Sequence, residues 1–89
     1  MDIYSCGTAI VRELYKRISE FNGGNSGNTV GYITFNNTST RITLDVGMNL
    51  VSRSYASTVE SQLRRTISSV VASLGVPYSV GLEFGFVAD

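Results

Sequence analysis

The sequence contains no histidine, one cysteine (Cys6) and one lysine (Lys16) among its 89 residues. Without histidine the chain lacks the usual proton shuttle and the commonest metal ligand. A single cysteine excludes an intrachain disulfide, and a single lysine leaves few nucleophiles for covalent catalysis. We therefore predict that the protein is not an enzyme and has no catalytic residue, no cofactor and no metal site.

Charge is also scarce. Charged residues make up 16% of the chain, against roughly 25% in an average soluble domain. Seven acidic residues balance seven basic ones, so no net field attracts nucleic acid or an anionic membrane. No apolar run approaches the roughly 18 residues of a transmembrane helix, and no signal-peptide pattern begins the chain. We expect a single domain over residues 1–89, in the cytoplasm or in a virion, for which nucleic acid is a disfavoured partner.

Two segments alternate strictly between apolar and polar residues, which is the period of a strand with one buried face. The first runs from Ile42 to Leu50, and the second runs from Tyr78 to Phe86. A shorter segment, Thr29–Phe35, is rich in β-branched and aromatic residues. We predict that it forms a hairpin with the first alternating strand through a loop of five residues, 36–40.

Apolar residues at three- and four-residue spacing predict two amphipathic helices. The first helix follows Asp2, a predicted N-cap, and its apolar stripe continues to Phe21. The second helix is predicted to begin at a capping box formed by Ser57 and Glu60. It should end just before Gly75, which suits the left-handed conformation of the residue that follows a helix.

The predicted order of elements is helix, strand, strand, helix, strand. This order indicates an α+β fold, a two-layer sandwich with both helices on one face of a three-stranded sheet. Because a right-handed crossover can skip one position, we predict the strand order 2-1-3, with every pair of neighbours antiparallel. The long second strand would then be an edge whose overhanging end leaves backbone groups unpaired.

The face of the sheet that the helices leave bare is the predicted interaction surface. Small and polar residues dominate this face, and glycine inside a strand often marks close approach by another backbone. Asp45 and Glu83 each lie alone in an alternating strand, so we interpret them as solvated carboxylates rather than as an acid and base pair. The candidate interface residues are Tyr32, Thr43, Asp45, Asn49, Val51, Glu83 and Val87.

Two further features of the sequence can be compared with known anion-binding patterns, a Gly-rich loop and a set of arginines. Residues 22–28 form a loop of Gly, Asn and Ser, which we predict to be flexible. Phosphate loops precede a helix, whereas this one precedes a strand, so we interpret it as an ordinary surface loop. The candidate anion contacts are Arg41, Arg53, Arg64 and Arg65, for which a solvated helix face is the favoured interpretation.

The pattern from Ile42 to Phe86 resembles the alkaline shock protein family, which has an alternating strand, a helix and a final strand. The residues on its apolar positions are Val59, Leu63, Ile67, Val71, Leu74, Leu82, Phe84 and Phe86. The whole order of elements and the polar loops are also similar to the ring-forming completion proteins of phage tails and necks. Both resemblances imply a non-enzymatic subunit that works through self-association or with another protein subunit.

We therefore predict a structural assembly module, with a virion component of the phage tail or neck as one form of it. An envelope- or stress-associated binding protein of the alkaline shock type is the second hypothesis. A small inhibitor or nucleic-acid-binding protein that uses the four arginines is the third.

Overall fold

A computed structural model describes residues 1–89 and contains two α-helices and one three-stranded sheet in the predicted order. Short 3-10 turns follow the first helix and precede the second, at Ile18–Glu20 and Arg53–Tyr55. Both helices contribute to one core with the same face of the sheet, so the predicted α+β sandwich is confirmed. The elements are α1 (Ile3–Lys16), β1 (Thr29–Asn37), β2 (Arg41–Leu50), α2 (Ala56–Leu74) and β3 (Ser79–Ala88).

The order of the strands differs from the prediction. β2 lies in the middle, antiparallel to β1 and parallel to β3, so the order is 1-2-3 and the sheet is mixed. The prediction 2-1-3 is wrong because the crossover through α2 returns β3 directly beside β2, without skipping a position. β2 therefore has no free edge, and the predicted overhang does not exist. The prediction that β3 is an edge is correct.

The hairpin is tighter than predicted. β1 extends two residues further, to Asn37, so only Thr38, Ser39 and Thr40 connect it to β2. Thr38 closes this loop, because its backbone N–H donates to the Arg41 carbonyl at 2.9 Å and its Oγ1 accepts from the Arg41 N–H at 3.1 Å. The tighter turn lengthens the ladder that anchors the central strand.

The core contains one contiguous cluster of 14 buried apolar residues. Its centre is the apolar row of β2, which the alternation of the sequence predicted: Ile42, Leu44, Val46, Met48 and Leu50 are all at most 4% exposed. The helices cover this row with Ile10, Leu14, Val59, Leu63, Ile67 and Val70. A central strand that is apolar at every second position thus fixes which face of the sheet receives the helices.

α1 begins at the predicted cap and ends earlier than predicted. The Asp2 carboxylate accepts from the Ser5 N–H at 2.7 Å, and this hydrogen bond lowers the pKa of Asp2. The helix ends at Lys16, and the 3-10 turn then places Phe21 in the core, where it is fully buried. The apolar spacing remained helical through residue 21 because a 3-10 turn changes the period by only about half a residue.

α2 ends as predicted and begins differently. Gly75 has φ +63°, and its N–H donates to the Ala72 carbonyl at 3.2 Å. Ser57 lies inside the first turn and makes no capping hydrogen bond, so the predicted capping box is wrong. The 3-10 turn instead leads directly into this helix, and the side chain of Ser52 caps the turn by accepting from the Ser54 N–H.

Candidate interaction surface

The face of the sheet opposite the helices is open, and six of the seven candidate interface residues lie on it. Their alternation with the buried row of β2 and the cross-strand register place them there. Val51 follows directly after β2. The large apolar members are well exposed: Tyr32 is 46% exposed, Val51 is 44% exposed and Val87 is 66% exposed. Their role in an interface stays a prediction.

Asp45 and Glu83 are direct cross-strand neighbours on this face. In the sequence each stands alone in its strand, and the predicted strand order would also have placed β1 between them. Two like charges in register on adjacent strands repel each other. Tyr32 lies beside them, and its pKa is raised from 10.0 chiefly by the charge of Asp45, with smaller contributions from burial and from Glu83. The acidic pair thus lies at the centre of the open face.

Two side chains of the open face fold down over glycines. The Tyr32 ring lies against Gly47, and the Arg41 guanidinium lies against Gly81; a Cβ atom at either glycine would overlap these groups. The close approach by another backbone that the sequence suggested is not seen at these two glycines, because the chain's own side chains occupy the space. Gly85 is different, because nothing lies within 4 Å of the place where its Cβ would be.

β3 is the uncovered edge of the sheet. It pairs with β2 over ten consecutive residues without a register shift, and no element lies along its other side. Its apolar row was predicted to belong to the core, yet none of its members is fully buried. The row packs against the rim of the core, and its members are Val80, Leu82, Phe84, Phe86 and Ala88. The alternation of the sequence predicts which face of the sheet each residue lies on. It does not predict how much of that face the helices cover.

The aromatic residues of β3 form a small cluster with an arginine. The Phe84 and Phe86 rings are 6.1 Å apart, and the Arg53 guanidinium lies 5.6 Å from the centre of the Phe86 ring. A cation over an aromatic face is attracted by the negative charge of that face. The role of these aromatic residues at a half-covered edge was missed from the sequence, where they were indistinguishable from core residues.

The opposite edge, β1, is protected. The register shifts between Val30 and Tyr32, so a bulge at Gly31 interrupts the ladder. The Tyr15 hydroxyl of α1 accepts from the Ile33 N–H at 3.2 Å, which occupies an amide that the pairing with β2 does not use. Bulges and covering side chains are common ways to prevent an edge from pairing with another chain. The two edges of this sheet therefore differ in their capacity to add a strand.

The four candidate anion contacts do not form one patch. Arg41 lies on the open face and donates to the Ser79 hydroxyl, while Arg53 stacks on Phe86 on the helix side. Arg64 forms an ion pair with Glu60 at 3.0 Å, and Arg65 is exposed on the same helix without an ion-pair partner. The positive charges point to different faces of the molecule. The four arginines therefore do not form a common site for an anion.

The Gly- and Asn-rich loop is held by hydrogen bonds, so its predicted flexibility is not what the structure describes. The Gly23 N–H donates to Gln62 Oε1 of α2 at 2.8 Å. The side chain of Asn28 is buried and bridges the loop to β2, since its Oδ1 accepts from the Val51 N–H at 2.9 Å. The N–H groups of Gly24, Asn25 and Gly27 also have partners within the loop. These amides are not free to bind a phosphate.

The remaining chemical groups are dispersed. Cys6, the only thiol, is 1% exposed within the core. No group of three or more Cys, Asp or Glu side chains is close enough to hold a metal ion. Neither helix combines the length and the apolar composition that crossing a membrane requires.

No protein-family model, curated protein or solved structure significantly matches the chain. The resemblances to alkaline shock proteins and to phage tail and neck proteins therefore stay predictions.

Proposed function

We propose that the protein is a non-enzymatic structural subunit that self-associates into a larger homo-oligomer. The observation that carries this proposal is the uncovered β3 edge, with ten residues in strand conformation and a half-exposed apolar row beside it. An edge of this length offers a row of unpaired N–H and C=O groups to another chain. A component of a phage tail or neck is one instance of this class.

The contrast between the two edges supports the proposal. A monomeric sheet protein protects both of its edges against pairing, as this chain does at β1 with a bulge and the Tyr15 hydroxyl. Leaving β3 unprotected exposes the chain to aggregation unless a second copy occupies the edge. The low charge of the surface acts in the same direction, because few charges oppose association.

The alternative hypotheses have less support. The four arginines are spread over separate faces, which disfavours a site for nucleic acid. A binding protein of the alkaline shock type rests on the spacing of apolar residues alone, and no geometric feature of the surface favours it over self-association.

The experiment is sedimentation velocity at about 10 µM, where a dimer with a micromolar dissociation constant is well populated. We expect the unmodified protein to sediment as a dimer or a larger species. Gly85→Glu places a second negative charge beside Glu83 in the middle of the β3 edge, where the structure has space for a Cβ atom, and should shift the protein towards monomer.

Thr34→Glu is the matched control, since it introduces the same side chain at an exposed position of the β1 edge. It should leave the association unchanged. A strict monomer for the unmodified protein, even at concentrations about ten times higher, would overturn the proposal.

A further inference from the structure

We infer that two copies pair antiparallel through β3 about a twofold axis beside Phe84, so that the sheet continues from one copy into the other. This inference rests on the proposed function, and it adds the occupant of the edge and the register of the pairing. A twofold axis perpendicular to the sheet brings identical edges together in antiparallel orientation, with the helices of both copies on the same side.

The axis position decides which residues face each other. In an antiparallel pair, residues directly opposite one another point to the same face of the sheet. With the axis beside Phe84, this residue faces its own equivalent and Leu82 faces Phe86 of the second copy. On the open face, Glu83 then faces Gly85 and Ser79 faces Asp89. This register pairs Val80–Ala88 with the same residues of the second copy, and Ser79 faces the residue that follows the strand.

The aromatic residues gain most from this register. Phe84 and Phe86 are only partly covered by the helices within one copy, and their rings are already neighbours at 6.1 Å. Pairing about Phe84 joins the two clusters and covers them on the side that now faces water. Aromatic and aliphatic side chains directly opposite each other are among the favourable cross-strand pairs.

Size and charge on the open face select the same axis. Glu83 would face Gly85 of the second copy, the one strand glycine on this face without a neighbour over it. Moving the axis by one residue to Glu83 would place two Glu83 carboxylates directly opposite each other, which is unfavourable. Moving it to Gly85 would place two glycines opposite each other and leave the space unfilled.

The ends of the strand complement each other in charge. Arg41 donates to the Ser79 hydroxyl and has no carboxylate within ion-pair distance in its own chain. Asp89 likewise has no basic partner. Because Ser79 faces Asp89 of the second copy in this register, the pairing brings Arg41 and that Asp89 together, once at each end of the interface.

The test is disulfide formation between single-cysteine positions on the open face. Glu83→Cys and Gly85→Cys are prepared as separate proteins, one of them with a mass tag, then mixed and oxidised. Directly opposite residues of an antiparallel pair have Cα atoms roughly 4.5 to 5.5 Å apart, which a disulfide can span. We expect the mixed disulfide to exceed either homodimeric disulfide by about tenfold, as expected when opposite residues are in range and diagonal ones are at its limit.

The unmodified protein is the control, because Cys6 is buried and should give no cross-link. Both substituted positions lie on the open face, and Gly85 has space for a side chain, so both variants should fold. A dominant Glu83→Cys homodimer would move the axis to residue 83, and a dominant Gly85→Cys homodimer would move it to residue 85; either result would overturn the register.

The two proposals fail in different ways. If sedimentation shows association but no combination of variants forms a disulfide, the pairing through β3 is wrong and self-association stands. If the protein is monomeric, both are wrong. As a second measurement, Asp89→Asn should raise the dimer dissociation constant by about 2- to 30-fold through the loss of two exposed ion pairs, whereas Asp2→Asn should leave it unchanged.

Discussion

At the scale of single residues, the pKa of Tyr32 reports the negative charge of the open face. Its ring lies against Gly47, and Asp45 and Glu83 lie on the same face beside it. Ionisation of the phenol would add a third negative charge to this group, so the neutral form is favoured. The folded state therefore retains the phenolic proton to higher pH than the unfolded chain does.

We predict that Asp45→Asn lowers the pKa of Tyr32 towards its usual value of 10.0, because the charge of Asp45 is the main cause of the increase. The pKa is measured from the ¹³Cζ chemical shift of Tyr32 against pH. Glu83→Gln should have a smaller effect, since the charge of Glu83 is the weakest of the causes. A larger effect for Glu83→Gln than for Asp45→Asn would contradict this prediction.

The sign of the accompanying stability change follows from linkage. Because the pKa is higher in the folded state, the stabilisation is fully present below pH 10 and is lost as the pH rises through the folded-state value. The unmodified protein should therefore lose more stability above pH 10 than Asp45→Asn does.

Gly7 shows how tertiary contact overrides helix propensity. It lies in α1, where alanine is preferred over glycine by up to about 1 kcal/mol. The Phe35 ring of β1 occupies the position that a Cβ atom would take. We predict that Gly7→Ala lowers the free energy of unfolding by about 1 to 2 kcal/mol, because overpacking outweighs propensity.

Urea denaturation measures this change, and Gly85→Ala is the matched control. Nothing lies near the Cβ position of Gly85, so that substitution should stay within about 0.5 kcal/mol. An increase in stability for Gly7→Ala would mean that the Phe35 ring moves aside at little cost.

At the scale of elements, the N-terminal end of α2 could be capped either by Ser57, as the sequence suggested, or by Ser52 through the 3-10 turn, as the structure shows. Ser57 is exposed inside the helix, while Ser52 Oγ accepts from the Ser54 N–H at 3.3 Å at the start of the 3-10 turn. We predict that Ser57→Ala raises the free energy of unfolding by a few tenths of a kcal/mol, through helix propensity. Ser52→Ala should lower it by about 0.5 to 1 kcal/mol through loss of the cap.

Both changes are read from urea midpoints. If Ser57→Ala instead costs about 1 kcal/mol, the capping box suggested by the sequence exists in solution and the 3-10 turn does not start the helix.

The elements also show which parts of the fold the sequence determines locally. Alternation predicted the buried row of β2, and Asp2 and Gly75 predicted one end of each helix, because these features depend on residues a few positions apart. The strand order depends on where a 28-residue connection returns to the sheet, residues 51–78, and no local pattern encodes that. The proximity of Asp45 to Glu83 was unpredictable for the same reason.

The candidate surface was predictable to a similar degree. The residues of the open face follow from the strand period, so Tyr32, Glu83 and Val87 could be placed on it. The importance of the β3 edge could not, since it depends on the bulge in β1 and on the hydrogen bond from Ile33 to Tyr15. These are contacts between elements that are distant in sequence.

At the scale of the whole molecule, the thin two-layer shape links stability to self-association, because the core of a single chain is small. The chain measures 39 × 21 × 17 Å, and only 18 of its 89 residues are buried. A domain of this size buries roughly 60 to 65% of the surface that its unfolded chain exposes. Covering the β3 edge in a dimer would therefore add a substantial fraction to a small hydrophobic core.

We predict that the melting temperature rises with protein concentration. Only the folded chain presents a β3 edge, so association stabilises the folded state by mass action. Above the dissociation constant, a tenfold increase in concentration contributes about 0.7 kcal/mol per chain. For a domain of this length, that corresponds to a rise of about 3 to 6 °C, which differential scanning calorimetry resolves. Gly85→Glu should have a melting temperature independent of concentration, whereas Thr34→Glu should retain the dependence, because it alters only the protected β1 edge. A melting temperature that stays constant for the unmodified protein across a hundredfold range, about two such steps, would mean that the folded chain is stable without a second copy.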